Sequence, residues 1–150
     1  MILNRIILTI LLLLTGIWVY SQSAKRVYLS GVDAANTVQW DFFCTDGHNN
    51  GKWTKINVPS NWELQGFGTY NYGRDWRNDN LTLGKEKGIY KHSFRVSPDW
   101  KGMVIKLVFE GSMTDTKVMV NGKTAGDMHQ GAFYRFDYDI SDLLKYGETN

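Results

Sequence analysis

The chain has 150 residues and carries 17 Lys+Arg against 15 Asp+Glu, a formal net charge of +2, and that length accommodates one domain. The charges are scattered instead of gathered on one basic face, which argues against nucleic-acid binding, and a 43% hydrophobic, 21% charged composition excludes a disordered tail. With 6 Trp, 8 Tyr, 7 Phe and 15 Gly but only 2 Pro, the composition favours pleated strands joined by Gly turns over a helical bundle.

The chain opens on Met1 and Arg5, followed by an apolar run from Ile6 to Val19 broken only by Thr9, Thr15 and Gly16, and then by the small polar residues of Tyr20-Ser21-Gln22-Ser23-Ala24. The run is shorter than the ~20 residues a membrane-spanning helix needs. Positive start, apolar stretch and small-residue exit are the pattern of a signal peptide, residues 1–21, cut after Ser21 or Ser23; an uncleaved anchor is the rival, and either exports the domain. The single cysteine, Cys44, cannot form an intrachain disulfide and reads as a partly buried free thiol. An exported chain without disulfides points to a bacterial periplasm or cell surface.

Residues 22–39 form a lead-in and residues 40–150 the domain proper. Thr45 to Gly51 is a turn-rich loop, and a longer irregular segment dense in Gly, Asn, Asp and charge runs from Asn71 to Lys87; loops of that length are usually functional. From Tyr90 the period approaches two: Tyr90, His92, Phe94 and Val96 share a face opposite Lys91, Ser93 and Arg95. Pro98 ends that strand. Met103 to Phe109 is a further strand, apolar on both sides and so expected to be covered on both faces. Thr116 to Val120 leads into Asn121-Gly122, a hairpin signal because both turn residues take positive φ, and Lys123 to Met128 returns antiparallel. Tyr134, Phe136 and Tyr138 alternate with Arg135 and Asp137, and Asp139 is placed to cap a helical turn over Ile140 to Leu144. The fold class is all-β, an antiparallel sandwich. The chain stops on the Gly turn Lys145 to Asn150, where a closing strand would be expected, so the domain reads as incomplete at that end.

Five ordered pieces carry a resemblance. Val58-Pro59-Ser60-Asn61-Trp62-Glu63-Leu64-Gln65-Gly66-Phe67, Gly88-Ile89-Tyr90 to Phe94, Trp100-Lys101-Gly102 with Leu107-Val108-Phe109-Glu110-Gly111, Val118-Met119-Val120-Asn121-Gly122-Lys123, and Gly131-Ala132-Phe133 with Phe136 to Ser141 together resemble the N-terminal sugar-binding domain of glycoside hydrolase family 2, which includes β-galactosidases, β-glucuronidases and β-mannosidases. The resemblance spans Trp40 to Asn150. It implies a galactose-binding-like jelly-roll packed, in a full enzyme, against an immunoglobulin-like domain and a TIM barrel. It also implies a retaining mechanism run by two barrel glutamates with carboxyls ~5 Å apart. The chain's four glutamates, Glu63, Glu86, Glu110 and Glu148, match no catalytic position, and no Asn-Glu dipeptide occurs. The resemblance therefore assigns no catalytic residue to this chain, and the V-P-S-N-W stretch favours a β-galactosidase acting on β-linked sugars.

A sugar site needs flat apolar faces for C–H groups and polar groups for hydroxyls. Tyr70, Asn71, Arg74 and Trp76 supply both. Asn71 is the nearest match to the asparagine that shapes the pocket in β-galactosidases, although its neighbours depart from the family pattern. Trp40, Trp53, Trp62 and Trp100 read as structural, with Trp62 plugging one end of the core. Asp137 and Asp139 do not specify a cation site, and His48, His92 and His129 lack zinc-ligand spacing. There is no phosphate loop and no G-x-S-x-G elbow. The chemistry calls for no cofactor, and the sequence does not specify a structural Na, Mg or Ca ion. The competing reading is a secreted, non-catalytic carbohydrate-binding module.

Overall fold

Strand β1, Val38–Cys44, is the centre of a three-stranded antiparallel sheet in the computed structural model, which describes residues 24–69 and 86–150. It is flanked by β2, Trp53–Val58, and β3, Gly88–Lys91. The registers Phe42↔Thr54, Trp40↔Ile56, Phe42↔Tyr90 and Cys44↔Gly88 fix which residues share a face. Because side chains alternate along a strand, Trp40, Phe42, Cys44 and Ile56 turn to one side. There Phe42, Cys44, Ile56 and Phe67 form a buried cluster with Trp40, Val58 and Trp62 packed against it. The lead-in closes one corner: the Trp40 indole N–H donates to the Leu29 carbonyl at 3.0 Å, and Gly31 N–H to Val58 at 3.0 Å. Strand β1 starts at Val38, two residues inside the expected lead-in.

The second half supplies two further pairings. Strands β4, Lys106–Phe109, and β7, Phe136–Asp139, are antiparallel, with Leu107 opposite Tyr138 and Phe109 stacked on Phe136 at 4.8 Å. Strands β5, Met119–Val120, and β6, Lys123–Thr124, form the hairpin expected at Asn121-Gly122, whose φ values are 51° and 79°. A Thr116↔His129 bridge extends it. Val96, Val118, Val120 and Ile140 are buried. Pairing with the tail is also seen: Phe94 and Asn150 exchange backbone hydrogen bonds of 3.1 and 2.8 Å, and the Asn121 amide donates to Leu143 and to the Asn150 side chain. The architecture is all-β; among the described residues the strands are accompanied only by short 3-10 turns at Trp62–Gln65, Pro98–Trp100 and Ser141–Leu143.

Four expectations need correction. The strand expected over Met103 to Phe109 begins only at Lys106, because Met103 N–H turns back to Trp100 and Ile105 N–H donates to the Ser141 hydroxyl. Nor is it covered on both sides: Met103, Val104 and Val108 are exposed. Tyr134 likewise stands outside β7 and is exposed, while Phe136 and Tyr138 turn inward. Cys44 is fully buried, more than expected, with its thiol donating to the Asp46 carbonyl at 3.0 Å.

Candidate functional site

The residues expected to contact sugar, Tyr70, Asn71, Arg74 and Trp76, lie outside the described residues. The structure shows instead the base on which the segment carrying them is mounted. Both of its ends are fixed. On one side the Thr69 N–H donates to Glu86 Oε1 at 3.0 Å, so a single carboxylate ties together residues 17 apart in sequence. On the other, Lys87 N–H donates to Thr45 Oγ1 at 2.7 Å and Thr45 N–H returns to the Lys87 carbonyl at 3.1 Å. Exchanged backbone bonds of 3.0 Å between His48 and Gly68 add a second clasp.

Close backbone approach makes glycine necessary at this clasp. A Cβ on Gly47, whose φ is +77°, would lie 2.6 Å from the Gly68 Cα. Asn49 strengthens the same junction by donating its side-chain amide to the Gly66 carbonyl at 2.8 Å. Gly66 is itself left-handed (φ 85°) and ends the Trp62–Gln65 turn.

That turn is bolted to the sheet by the residues of the V-P-S-N-W-E-L-Q stretch. The Gln65 amide accepts from Asn57 N–H and donates to Asn57 C=O, both at 3.0 Å, and also reaches the Ser60 hydroxyl. It thereby mimics a neighbouring strand on the β2 edge. The Trp62 ring meets Phe42 edge-on at 5.6 Å, and Phe67 meets Phe42 edge-on at 4.9 Å. Trp62 is thus packed against the core as expected, at the end of the sheet from which the 70–85 segment departs. Tyr90 completes this aromatic group, tilted against Phe42 at 4.7 Å. Burial pushes its phenol up to about 12, and the nearby Glu63 and Cys44 act in the same direction.

Among the described residues no group of three or more His, Cys, Asp or Glu side chains is arranged to hold a metal. The 3-10 turn starts at Ser141, so Ile140 and not Asp139 occupies its N-cap position; Asp139, one residue earlier, accepts from Ser141 N–H at 3.0 Å and from its hydroxyl at 2.6 Å. Those hydrogen bonds hold its carboxyl below the ordinary aspartate value. Asp137 pairs with Lys106 at 3.0 Å, so the two aspartates have separate structural partners. What sequence reasoning missed is Glu86. It stood only as one of four glutamates, and nothing in its local pattern marks a partner 17 residues away.

Comparison with known proteins identifies this frame. The family model described as the sugar binding domain of family 2 glycosyl hydrolases matches residues 14–150. A β-glucuronidase of Bacteroides fragilis is 32% identical over 96 residues, 64% of this chain and 12% of that protein. A β-galactosidase of Thermoanaerobacter pseudethanolicus is 40% identical over 58 residues, 39% of this chain and 8% of that protein. The solved β-D-glucuronidase of Dictyoglomus thermophilum shares the fold, with a TM-score of 0.54 at 22% identity over 87% of this chain and 20% of its own. The chain thus spans about an eighth or less of the length of the two curated relatives. The chain belongs to the family 2 glycosyl hydrolases, through their sugar-binding domain.

Proposed function

We propose that this chain is the N-terminal part of an exported, retaining β-glycosidase, a β-galactosidase by preference. In this reading the jelly-roll supports a catalytic barrel and carries Tyr70, Asn71, Arg74 and Trp76 to the rim of its sugar pocket. The observation that carries it is the family match over residues 14–150, joined to a base that fixes both ends of the segment bearing those residues. The acid/base and nucleophilic glutamates belong to the barrel, which an immunoglobulin-like domain joins to this one. Consistent with that division, Glu86 is engaged by Thr69 and Glu110 is ion-paired with Arg135 at 3.8 Å. The two-carboxylate mechanism calls for no cofactor. The leader of residues 1–21 takes the protein to a bacterial periplasm or the cell surface, where β-linked oligosaccharides are its substrates.

The V-P-S-N-W stretch favours galactoside. A second reading, β-glucuronidase, is favoured by the name of the Bacteroides fragilis relative. Nitrophenyl β-D-galactoside and β-D-glucuronide, offered to the polypeptide that contains this chain, separate the two. Faster hydrolysis of the galactoside is expected, and preference for the glucuronide overturns the galactosidase assignment. Hydrolysis of neither, nor of the β-D-mannoside, with sugar binding retained, would favour a non-catalytic carbohydrate-binding module instead.

A further inference from the structure

The outward face of the β2-β1-β3 sheet carries a second group of aromatic and charged side chains. The registers put Phe43, Trp53 and Ile89 in one cross-strand row and Asp41, Lys55 and Lys91 in the next. Trp53 is 47% exposed and Ile89 43%, and Phe43 supports the indole at 5.5 Å.

The charges on this face are unequal. Lys55 Nζ sits 2.6 Å from Asp41 Oδ1, so the carboxylate in this row is already engaged. Lys91 instead holds its ammonium 4.1 Å from the centroid of the Trp53 ring, and among the described residues it has no carboxylate within ion-pair distance. A cation above an exposed ring is weakly held. It occupies the flat face on which the C–H side of a sugar ring would stack.

We propose that this face binds a uronate residue of a glycan chain. The carboxylate draws the Lys91 ammonium off the indole into a charge-assisted hydrogen bond, and the uncovered Trp53 ring receives the sugar. A neutral sugar offers Lys91 nothing to move toward and meets a covered ring, so the lysine makes the platform selective for acidic glycans. Such a platform tethers a polymeric substrate to the domain whichever glycosidic bond the parent cleaves, so it stands or falls separately from the hydrolase assignment.

The test is calorimetric titration of the full chain with α-1,4-trigalacturonate, its neutral counterpart α-1,4-galactotriose, and inorganic polyphosphate. Trigalacturonate is expected to bind about tenfold or more tightly than galactotriose, and Lys91→Met and Trp53→Ala are each expected to weaken it by about tenfold. Lys106→Met, on β4, is expected to leave it unchanged. Lys91→Met alters only the end of an exposed side chain, so its result stands even if Trp53→Ala folds poorly. Equal affinity for galactotriose, no binding of trigalacturonate, or retained binding in Lys91→Met would each overturn the proposal. Polyphosphate binding as tightly as the uronate would also overturn it, by showing a bare anion patch without sugar stacking. Hydrolysis of nitrophenyl glycosides is read separately, and its loss or persistence leaves this outcome untouched.

Discussion

Trp62 occupies the space that a side chain on Gly88 would need. An ideal Cβ on Gly88 falls inside the contact distance of Trp62 Cζ3 and Cε3 and lies 2.9 Å from Phe42 Cε2. The glycine of the G-I-Y strand and the tryptophan of the V-P-S-N-W stretch are therefore one packing unit, although 26 positions separate them in the sequence.

Gly88→Ala is expected to destabilise the domain by about 1–3 kcal/mol, as overpacking of a close-packed core does. Combining it with Trp62→Leu, which vacates the volume, should recover part of that loss. The check is a double-mutant cycle in chemical denaturation, and strict additivity of the two changes would show that the contact does not matter.

Glu86→Gln removes the charge from the acceptor at the stem of the 70–85 segment. A single hydrogen bond to a charged group contributes on the order of 1.5–3 kcal/mol, and the exposure of this one lowers that range. The expected result is faster amide exchange at Thr69 with a small change in global stability. Unchanged exchange at Thr69 would mean that the carboxylate does not hold the stem.

Tyr90 makes stability sensitive to alkali. Its phenol is raised from 10.0 to about 12 in the folded chain, so in that interval the unfolded chain has lost a proton that the folded one keeps. Its contribution is fully present below about pH 10 and is lost as the pH climbs toward 12. Thermal melts between pH 9 and 11.5 should show a steeper fall in the parent than in Tyr90→Phe.

Asp139 works at the other end of the scale. Its carboxyl is held below 3.8 by hydrogen bonds from Ser141, so the stabilisation is present above the ordinary aspartate value and fades as acid protonates the folded form. Ser141→Ala should return the Asp139 titration toward 3.8, followed by carboxyl chemical shifts. An unmoved titration midpoint would assign the shift to another neighbour.

Where a structural rule is local, the sequence is a good guide. Asn121-Gly122 demands positive φ at two adjacent residues and obtains it, and Asp139 accepts from the backbone N–H two residues on. The β1–β2 pair is not legible from periodicity. Phe43 and Trp53 are apolar residues on the outward face, and they blur the alternation that would have revealed it. Strand β4 was overextended for a related reason: Met103 and Val104 fit a strand pattern, but β7 pairs only with Lys106–Phe109. For the candidate site, the resemblance named a segment, and the described residues supply its mounting. That mounting relies on Glu86–Thr69 and Gly47–Gly68, contacts between positions that carry no shared local signal.

The closed stem also has an evolutionary meaning. Because Thr69 and Glu86 meet each other, and Thr45 and His48 hold their flanks, the sheet beneath sees the same two attachment points whatever lies between them. Closing a longer loop adds only slowly to its entropic cost. Selection for folding therefore acts on Gly88, Trp62 and Phe42 together with the two attachment points, Thr69 and Glu86.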